Sequence, residues 1–231
     1  MQMSNPWFRR GGILAAGLLL CSGLVATPAM AASITYNFTG DVTRVDPLVS
    51  PRFNNSMTMK GSMTFDMDLV DQHPGDSSSG LYGVESFTLT IGGYTATLGP
   101  SLAGSTQFLN DSPDLKGLDG VFALMEELNG ANENFNGNFL GPRLFGIALV
   151  GPSNLLVSDA LPMSAPSLSS LAFNEFRLAF GPDGVAGGVS GVVTSLTAVP
   201  LPAAVLLFGA GLISLVGLGA GGLRNIRGAK A

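Results

Sequence analysis

Two apolar segments near the ends of the chain constrain its fold most, because neither suits the surface of a domain that folds in water. Residues 13–26 and 203–220 carry no charged side chain. The chain between them is rich in Gly, Ser, Thr and Asn, and is therefore the part expected to form a water-exposed domain. We expect three regions, with boundaries at residues 1–31, 32–198 and 199–231.

The first region has the pattern of a secretory signal peptide. Arg9 and Arg10 precede the 14-residue apolar run, and small residues follow it at Ala29 and Ala31. This order predicts removal by a signal peptidase between Ala31 and Ala32. The alternative is an uncleaved anchor, but the run is shorter than the about 20 residues that a spanning helix needs.

The only cysteine, Cys21, lies inside this predicted signal. The mature chain would then contain no disulfide, thiolate nucleophile or zinc-thiolate site. A lipoprotein signal is the alternative here, but it has a small residue before the cysteine, and Leu20 is not small.

The last region is predicted to contain a single transmembrane helix at residues 203–220. Its 18 uncharged residues, at about 1.5 Å each, reach about 27 Å, close to the thickness of the hydrocarbon core. Arg224, Arg227 and Lys230 follow as a basic stop. Positive charge favours the cytoplasmic side, so the middle of the chain would lie outside, in agreement with the signal peptide.

A short proline motif precedes this helix: Val199, Pro200, Leu201, Pro202 and Ala203. Because proline lacks a backbone donor and restricts the residue before it, we expect an extended segment that neither the preceding strand nor the following helix includes. Such a segment would be accessible to a protease that binds extended substrates.

The order of motif, apolar span and basic tail at residues 199–231 resembles the VPLPA variant of the PEP-CTERM sorting signal. The commoner form has Glu where this chain has Leu201. The resemblance implies processing by an exosortase, an integral-membrane cysteine protease-transpeptidase of Gram-negative bacteria. It also implies export through the inner membrane, transient anchoring, and a final place at the cell surface or outside the cell, in association with exopolysaccharide or biofilm. The alternatives are an ordinary single-span protein with a proline-containing linker, and a glycolipid-anchor signal, which normally ends without a basic cluster.

Alternation of apolar and polar residues predicts that the middle region is all-β. Phe87–Ile91 and Tyr94–Leu98 alternate on either side of Gly92-Gly93, which is typical of a hairpin. Further strands are expected in Ile34–Thr39, Met57–Phe65, Phe145–Val150, Glu175–Phe180 and Gly188–Leu196. Residues 121–128 are ambiguous between a strand and a short helix. About eight strands without β-α-β spacing predict an antiparallel β-sandwich, of which a jelly roll is one form, and a closed barrel is the alternative.

The charge of the middle region excludes one class of partner. Residues 32–198 hold 16 acidic and six basic side chains, a net charge of −10. Such a domain repels phosphate backbones, so no nucleic acid partner is expected.

Few residues carry a signal for chemistry. His73, the only histidine, lies in a loop, and Ser190 lacks the second glycine of a nucleophile elbow, so hydrolase signatures are absent. The carboxylates of Asp66, Asp68, Asp71 and Asp76 are candidate calcium ligands, with an acidic surface loop as the simpler interpretation. Asp66 and Asp68 would share a face if their strand continued.

We therefore expect no catalytic residue and no obligatory cofactor. The hypothesis is a non-enzymatic surface or matrix domain that binds exopolysaccharide or cations. The alternative is a secreted carbohydrate-active hydrolase that uses paired carboxylates, and two carboxylates facing each other across an aromatic-lined groove would favour it.

Overall fold

The computed structural model describes residues 31–101, 104–182 and 186–202, and this part of the chain is all-β. The predicted signal segment up to residue 30, the predicted helix at 203–220 and the basic stop lie outside the described residues. None of the helical turns within the described ranges has the length and hydrophobicity to cross a membrane. Two short 3-10 turns occur, at Pro113–Leu115 and Leu168–Ser170. The strands are β1 (Ala31–Val45), β2 (Thr58–Asp66), β3 (Ser79–Gly83), β4 (Ser86–Ile91), β5 (Tyr94–Thr97), β6 (Gly104–Ser112), β7 (Leu118–Glu126), β8 (Asn129–Gly130), β9 (Glu133–Phe135), β10 (Asn138–Leu140), β11 (Pro142–Gly151), β12 (Phe173–Phe180) and β13 (Gly187–Pro202).

Eleven of these strands form one antiparallel sheet in the order β3-β6-β7-β11-β12-β13-β1-β2-β4-β5-β8. The two remaining strands, β9 and β10, form a separate hairpin. The first and last strands of the described chain pair along most of their length, from Ala31 opposite Pro202 to Val45 opposite Val189. The two ends of the described chain therefore lie side by side.

The strands form where apolar and polar residues alternate, as predicted. In β2, Met59, Met63 and Phe65 are buried, while Thr58 and Lys60 face solvent. The predicted hairpin is confirmed as β4 and β5, joined by Gly92 and Gly93 at φ of 54° and 80°. Both turn residues adopt the left-handed conformation that glycine accepts without a steric penalty.

The ambiguous segment at residues 121–128 is a strand over most of its length. Val121, Ala123 and Met125 are buried at alternate positions of β7, which pairs with both β6 and β11. The helical alternative is therefore wrong. An alternating apolar run of this length can be assigned once a neighbouring strand is known on each side.

The sheet curls until its own inner surfaces meet. Five steps separate β11 from β4 in the strand order, which would be about 24 Å in a flat sheet at about 4.8 Å per step. Yet the ring centroid of Phe145 on β11 lies 5.2 Å from that of Phe87 on β4 and 5.9 Å from that of Phe38 on β1. The core is therefore enclosed by one curled antiparallel sheet.

A two-residue link joins strands from distant parts of the strand order. Between β3 and β4, the Val84 N–H donates to the Gly104 carbonyl at 2.9 Å and the Glu85 N–H donates to the Thr64 carbonyl at 2.9 Å. The chain thus passes from the β6 side of the sheet to the β2 side within one short segment. This link holds the curl at one corner of the molecule.

Candidate functional site

The predicted sorting motif is part of the sheet as far as the structure describes it. Strand β13 continues through Pro202, with Val199 opposite Thr35, Pro200 opposite Ile34 and Leu201 opposite Ser33. The expectation that the preceding strand would not include the prolines is therefore wrong, although the extended conformation was expected. Strand pairing also continues beyond the expected boundary at residue 198. Ala203 lies outside the described residues.

The geometry of β13 explains why it accepts two prolines. Its pairing with β12 ends at Gly191, and the Asn174 side chain then binds both backbone groups of Val193, at 2.8 Å to the carbonyl and 2.9 Å to the N–H. A register shift between Val193 and Ser195 inverts the alternation of backbone groups along β13.

After the shift, the backbone groups of Val199 and Leu201 face β1, and those of Pro200 and Pro202 face the opposite edge. In the described residues that edge carries no paired strand beyond Gly191. A missing N–H there costs no ladder hydrogen bond, and edge positions are where strands tolerate proline.

The predicted signal cleavage site lies beside this motif. Strand β1 begins at Ala31, the residue before the predicted cleaved bond, and Ala31 is the partner of Pro202. A register shift at Ala32 separates this pair from the next, which joins Ser33 to Leu201. Ala29 lies outside the described residues. The sites predicted for the two processing enzymes therefore occupy neighbouring strands.

The aspartates proposed as calcium ligands stabilise their own turns. Strand β2 ends at Asp66, whose Oδ1 accepts a hydrogen bond from the Asp68 N–H at 2.8 Å. The strand does not continue to Asp68, so the condition under which the two residues would share a strand face is not met. Asp71 Oδ1 accepts from the N–H groups of His73 at 2.9 Å and Leu81 at 2.8 Å. Among the described residues, no three His, Cys, Asp or Glu side chains converge as a metal site.

Asp76 closes the turn after His73. Its Oδ1 accepts the Ser78 hydroxyl at 2.7 Å and the Ser78 N–H at 3.0 Å. These hydrogen bonds, with a smaller contribution from the nearby His73, lower the pKa of Asp76 below its ordinary value. The side chain is therefore engaged in loop geometry as an ionised group.

The ring of His73 lies near the hydroxyl of Ser79. Its Nδ1 lies 3.5 Å from the hydroxyl of Ser79, a long separation for a hydrogen bond, and the histidine is exposed. The Ser79 side chain is buried in β3 and accepts a hydrogen bond from Gln107 at 2.9 Å. The hydroxyl is thus directed to a neighbouring strand.

A small cavity lies in the core. It has a volume of about 20 Å³, and its lining includes Tyr36, Met63, Phe108 and Ile147. This volume is close to that of one water molecule, too small for a ligand.

An open groove of about 470 Å³ lies on the outer face of β7, β11 and β12. Its floor includes Gly146, where an added Cβ would meet nothing nearer than 3.7 Å. At Gly61 and Gly191, by contrast, an added Cβ would lie within 2.4 Å and 2.0 Å of core atoms or backbone. Packing therefore does not require glycine at position 146. Because glycine has no side chain, the floor of the groove stays open at this position. The side chains around the floor include Phe122, Leu124, Phe173, Glu175 and Arg177.

The groove carries one carboxylate, that of Glu175. Three other cavities of the described chain, including a surface pocket lined by residues 155–158 and 160–167, have no acidic side chain in their lining. A facing carboxylate pair, which the hydrolase alternative requires, is thus absent from these described cavities.

Sequence reasoning missed Asp119, the carboxylate with the clearest structural role. It is fully buried, and its two oxygens accept the N–H groups of Asp111 at 2.7 Å and Leu156 at 2.8 Å. Its position two residues before Val121, on the buried face of β7, was the available signal. A charged residue in phase with a buried face implies internal partners.

No family model, curated protein or solved structure matches the chain. The class defined by the structure is therefore that of an all-β domain built on one curled antiparallel sheet.

Proposed function

We propose that this chain is an exported cell-surface or matrix protein, processed at its C-terminal motif by an exosortase. The observation that carries the proposal is the pairing of Ala31–Val45 with Gly187–Pro202. In the described residues this pairing reaches Ala31, beside the predicted signal cleavage site, and Pro202, within the predicted sorting motif. The two predicted processing sites thus lie on paired strands of one domain, which supports an exported domain that is processed at both sites.

The resemblance of the C-terminal region supplies the reaction. A cysteine thiolate of the exosortase attacks a peptide carbonyl near residues 199–203, the peptide bond breaks, and the downstream segment leaves with a new amino terminus. The acyl group then passes to water or to an amine acceptor, which releases the protein or attaches it to the surface. Signal peptidase acts at the other end, and the membrane holds the unprocessed chain.

We propose exopolysaccharide as the ligand class of the carried domain, with the outer groove as the contact surface. Phe122, Leu124 and Phe173 offer apolar contact area, and Glu175 and Arg177 offer a hydrogen-bond acceptor and donors. The two charges in the groove are of opposite sign, and the exported region as a whole is acidic. These properties suit a neutral polysaccharide better than an anionic one.

We also propose that the curled sheet is an antiparallel β-sandwich. The support is the contact between inner faces of β11 and β4, where the rings of Phe145 and Phe87 meet. The jelly-roll form stays a prediction.

Processing is tested by intact-mass analysis of the full chain expressed in Gram-negative cells with and without an exosortase. The mature protein is expected to begin at Ala32 in both kinds of cell, because signal peptidase makes that cut. It should lack the residues after the motif only in cells that contain the exosortase. A matched control replaces Pro200 and Pro202 by alanine, which should prevent recognition while β13 remains an edge strand. A chain that retains Lys230 in exosortase-positive cells would contradict the proposal.

Glycan binding is tested with a purified fragment of residues 32–202, since β13 continues to Pro202. Binding to a glycan array, with and without calcium, should be lost in Gly146→Leu, which fills the groove floor. Ala148→Gly is the control, because it keeps the floor open. Equal binding by wild type and Gly146→Leu would remove the groove from the proposal.

A further inference from the structure

We propose that the first strand of the mature domain is a latch on the sorting motif, so that exosortase cleavage requires residues 199–202 to separate from β1. This inference rests on the proposed processing and adds a step that precedes it. The latch is defined as residues 33–35, which pair with Val199, Pro200 and Leu201.

The latch follows from the direction of the backbone groups. The Val42 N–H donates to the Met57 carbonyl on the β2 side. Because backbone groups alternate in direction along a strand, the N–H and C=O groups of even-numbered residues in this part of β1 point towards β2. The backbone groups of Ser33 and Thr35 therefore point towards β13, and those of Val199 and Leu201 point back towards them. Among the described motif residues, these are the ones whose N–H groups a protease could bind, since the two prolines have none.

Proteases bind substrates whose backbone groups are accessible, and cleavage within a folded chain proceeds from a locally opened state. While β1 is paired, the Val199 and Leu201 groups are occupied. In the mature chain predicted to begin at Ala32, the latch lies next to the new amino terminus, where a strand separates most readily. Signal cleavage between Ala31 and Ala32 removes the partner of Pro202, so the latch of the mature chain is confined to the three pairs at residues 33–35.

One pair of variants weakens the latch. Thr35→Pro removes the N–H that faces Val199, and Thr35→Val keeps that donor. Both lose the contact of the Thr35 hydroxyl with Thr64, at 2.9 Å, so the comparison isolates the backbone bond. One lost hydrogen bond should raise the opened population roughly two- to tenfold. Pulse-chase labelling measures the rate of motif cleavage in exosortase-positive cells. This rate should rise by the same factor in Thr35→Pro and stay unchanged in Thr35→Val.

A second variant closes the latch covalently. Thr35→Cys with Val199→Cys places two thiols on directly opposed residues, at a separation that antiparallel pairs make compatible with a disulfide. The predicted mature chain has no other cysteine, since Cys21 lies in the signal. Cleavage should fall at least tenfold in the oxidised protein and recover with a reductant. Val199→Cys alone controls for the altered motif residue.

Hydrogen exchange of the full chain in detergent, without any protease, separates the two proposals. The Val199 amide should be protected in wild type, more protected in the disulfide variant and less in Thr35→Pro. An unprotected Val199 amide in wild type, or cleavage equally fast in the oxidised and reduced disulfide variant, would overturn the latch. Protection as expected, with no cleavage of any variant, would overturn the exosortase proposal and leave the latch standing.

Discussion

At the scale of single residues, the buried polar groups of this domain are all engaged. Within the described chain, no buried side-chain nitrogen or oxygen lacks a hydrogen-bond partner. Asp119 is one example, because it joins the irregular end of β6, where the register with β7 shifts, to the loop that follows β11. A buried carboxylate in that position orders a strand irregularity and a loop together.

Asp119→Ala should therefore destabilise the domain strongly. The substitution leaves two N–H groups without acceptors, at about 1–3 kcal/mol each, so we expect a loss of roughly 2–5 kcal/mol in urea unfolding. Asp114→Ala is the control, since Asp114 is exposed in the adjacent 3-10 turn and should change stability by less than about 0.5 kcal/mol. Equal effects of the two variants would contradict this role.

Tyr36 makes the stability of the domain depend on pH in the alkaline range. Burial raises the pKa of Tyr36 above its ordinary value, and its hydroxyl donates to the Pro162 carbonyl. Because its pKa is higher in the folded protein, Tyr36 contributes its full stabilisation at pH values below the tyrosine pKa in the unfolded chain, about 10. Above that pH the stabilisation is lost, by up to about 1.4 kcal/mol per pH unit. Tyr36→Phe should be less stable by about 1 kcal/mol at pH 8, and the gap to wild type should narrow above about pH 10.

Urea unfolding of both proteins between about pH 8 and pH 11 measures this gap. Tyr36→Phe changes no other ionisable side chain, so the remaining pH dependence is common to both proteins and cancels in the difference. A gap that stays constant over the whole range would show that the Tyr36 hydroxyl does not titrate differently in the folded state.

At the scale of elements, the β4–β5 hairpin shows how turn chemistry and packing combine. Gly92 and Gly93 both have positive φ, but only at Gly92 would a Cβ collide, at 2.3 Å from the Met57 sulfur. Gly93→Ala should cost about 1–2 kcal/mol from backbone strain, and Gly92→Ala about 1–3 kcal/mol more from overpacking. Gly93→Asn should cost less than Gly93→Ala, because asparagine adopts positive φ more readily than alanine.

Chemical denaturation of the three glycine variants tests the order of these effects. Equal losses at the two positions would mean that Met57 moves aside without cost. In that case the positive φ of the turn residues, and not packing against the flexible Met57 side chain, would be the reason for glycine at both positions.

The same scale shows what could be predicted from the sequence and what could not. Local alternation predicted β2, β4, β5 and β12, because each has one buried face whose period is visible in a few residues. The place of Pro200 and Pro202 in β13 could not be predicted, since it depends on the register shift near Thr194 and on where β12 stops pairing. The turn contacts of Asp66 and Asp71 likewise depend on where β2 ends and on the approach of Leu81.

At the scale of the whole molecule, closure of the sheet depends on a few aromatic contacts. Phe145 on β11 is fully buried and contacts Phe38, Phe87 and Phe176, which lie on three other strands. The contacts with Phe38 and Phe87 join strands that are not hydrogen-bonded neighbours of β11, whereas Phe176 lies on the adjacent strand β12. Sequence alternation identifies Phe145 as buried, but the identity of its partners is a property of the curled sheet.

Phe145→Ala should accordingly lower the stability of the domain as one unit. We expect a loss of about 3–5 kcal/mol, against less than about 0.5 kcal/mol for Phe139→Ala, since the Phe139 side chain is 70% exposed. Hydrogen exchange should show the same loss of protection in β2 and β4 as in β11 and β12, because one cooperative unit opens as a whole. Protection lost from β11 and β12 alone would show that the two sides of the curled sheet unfold separately, and that the aromatic contacts close the fold without coupling its parts.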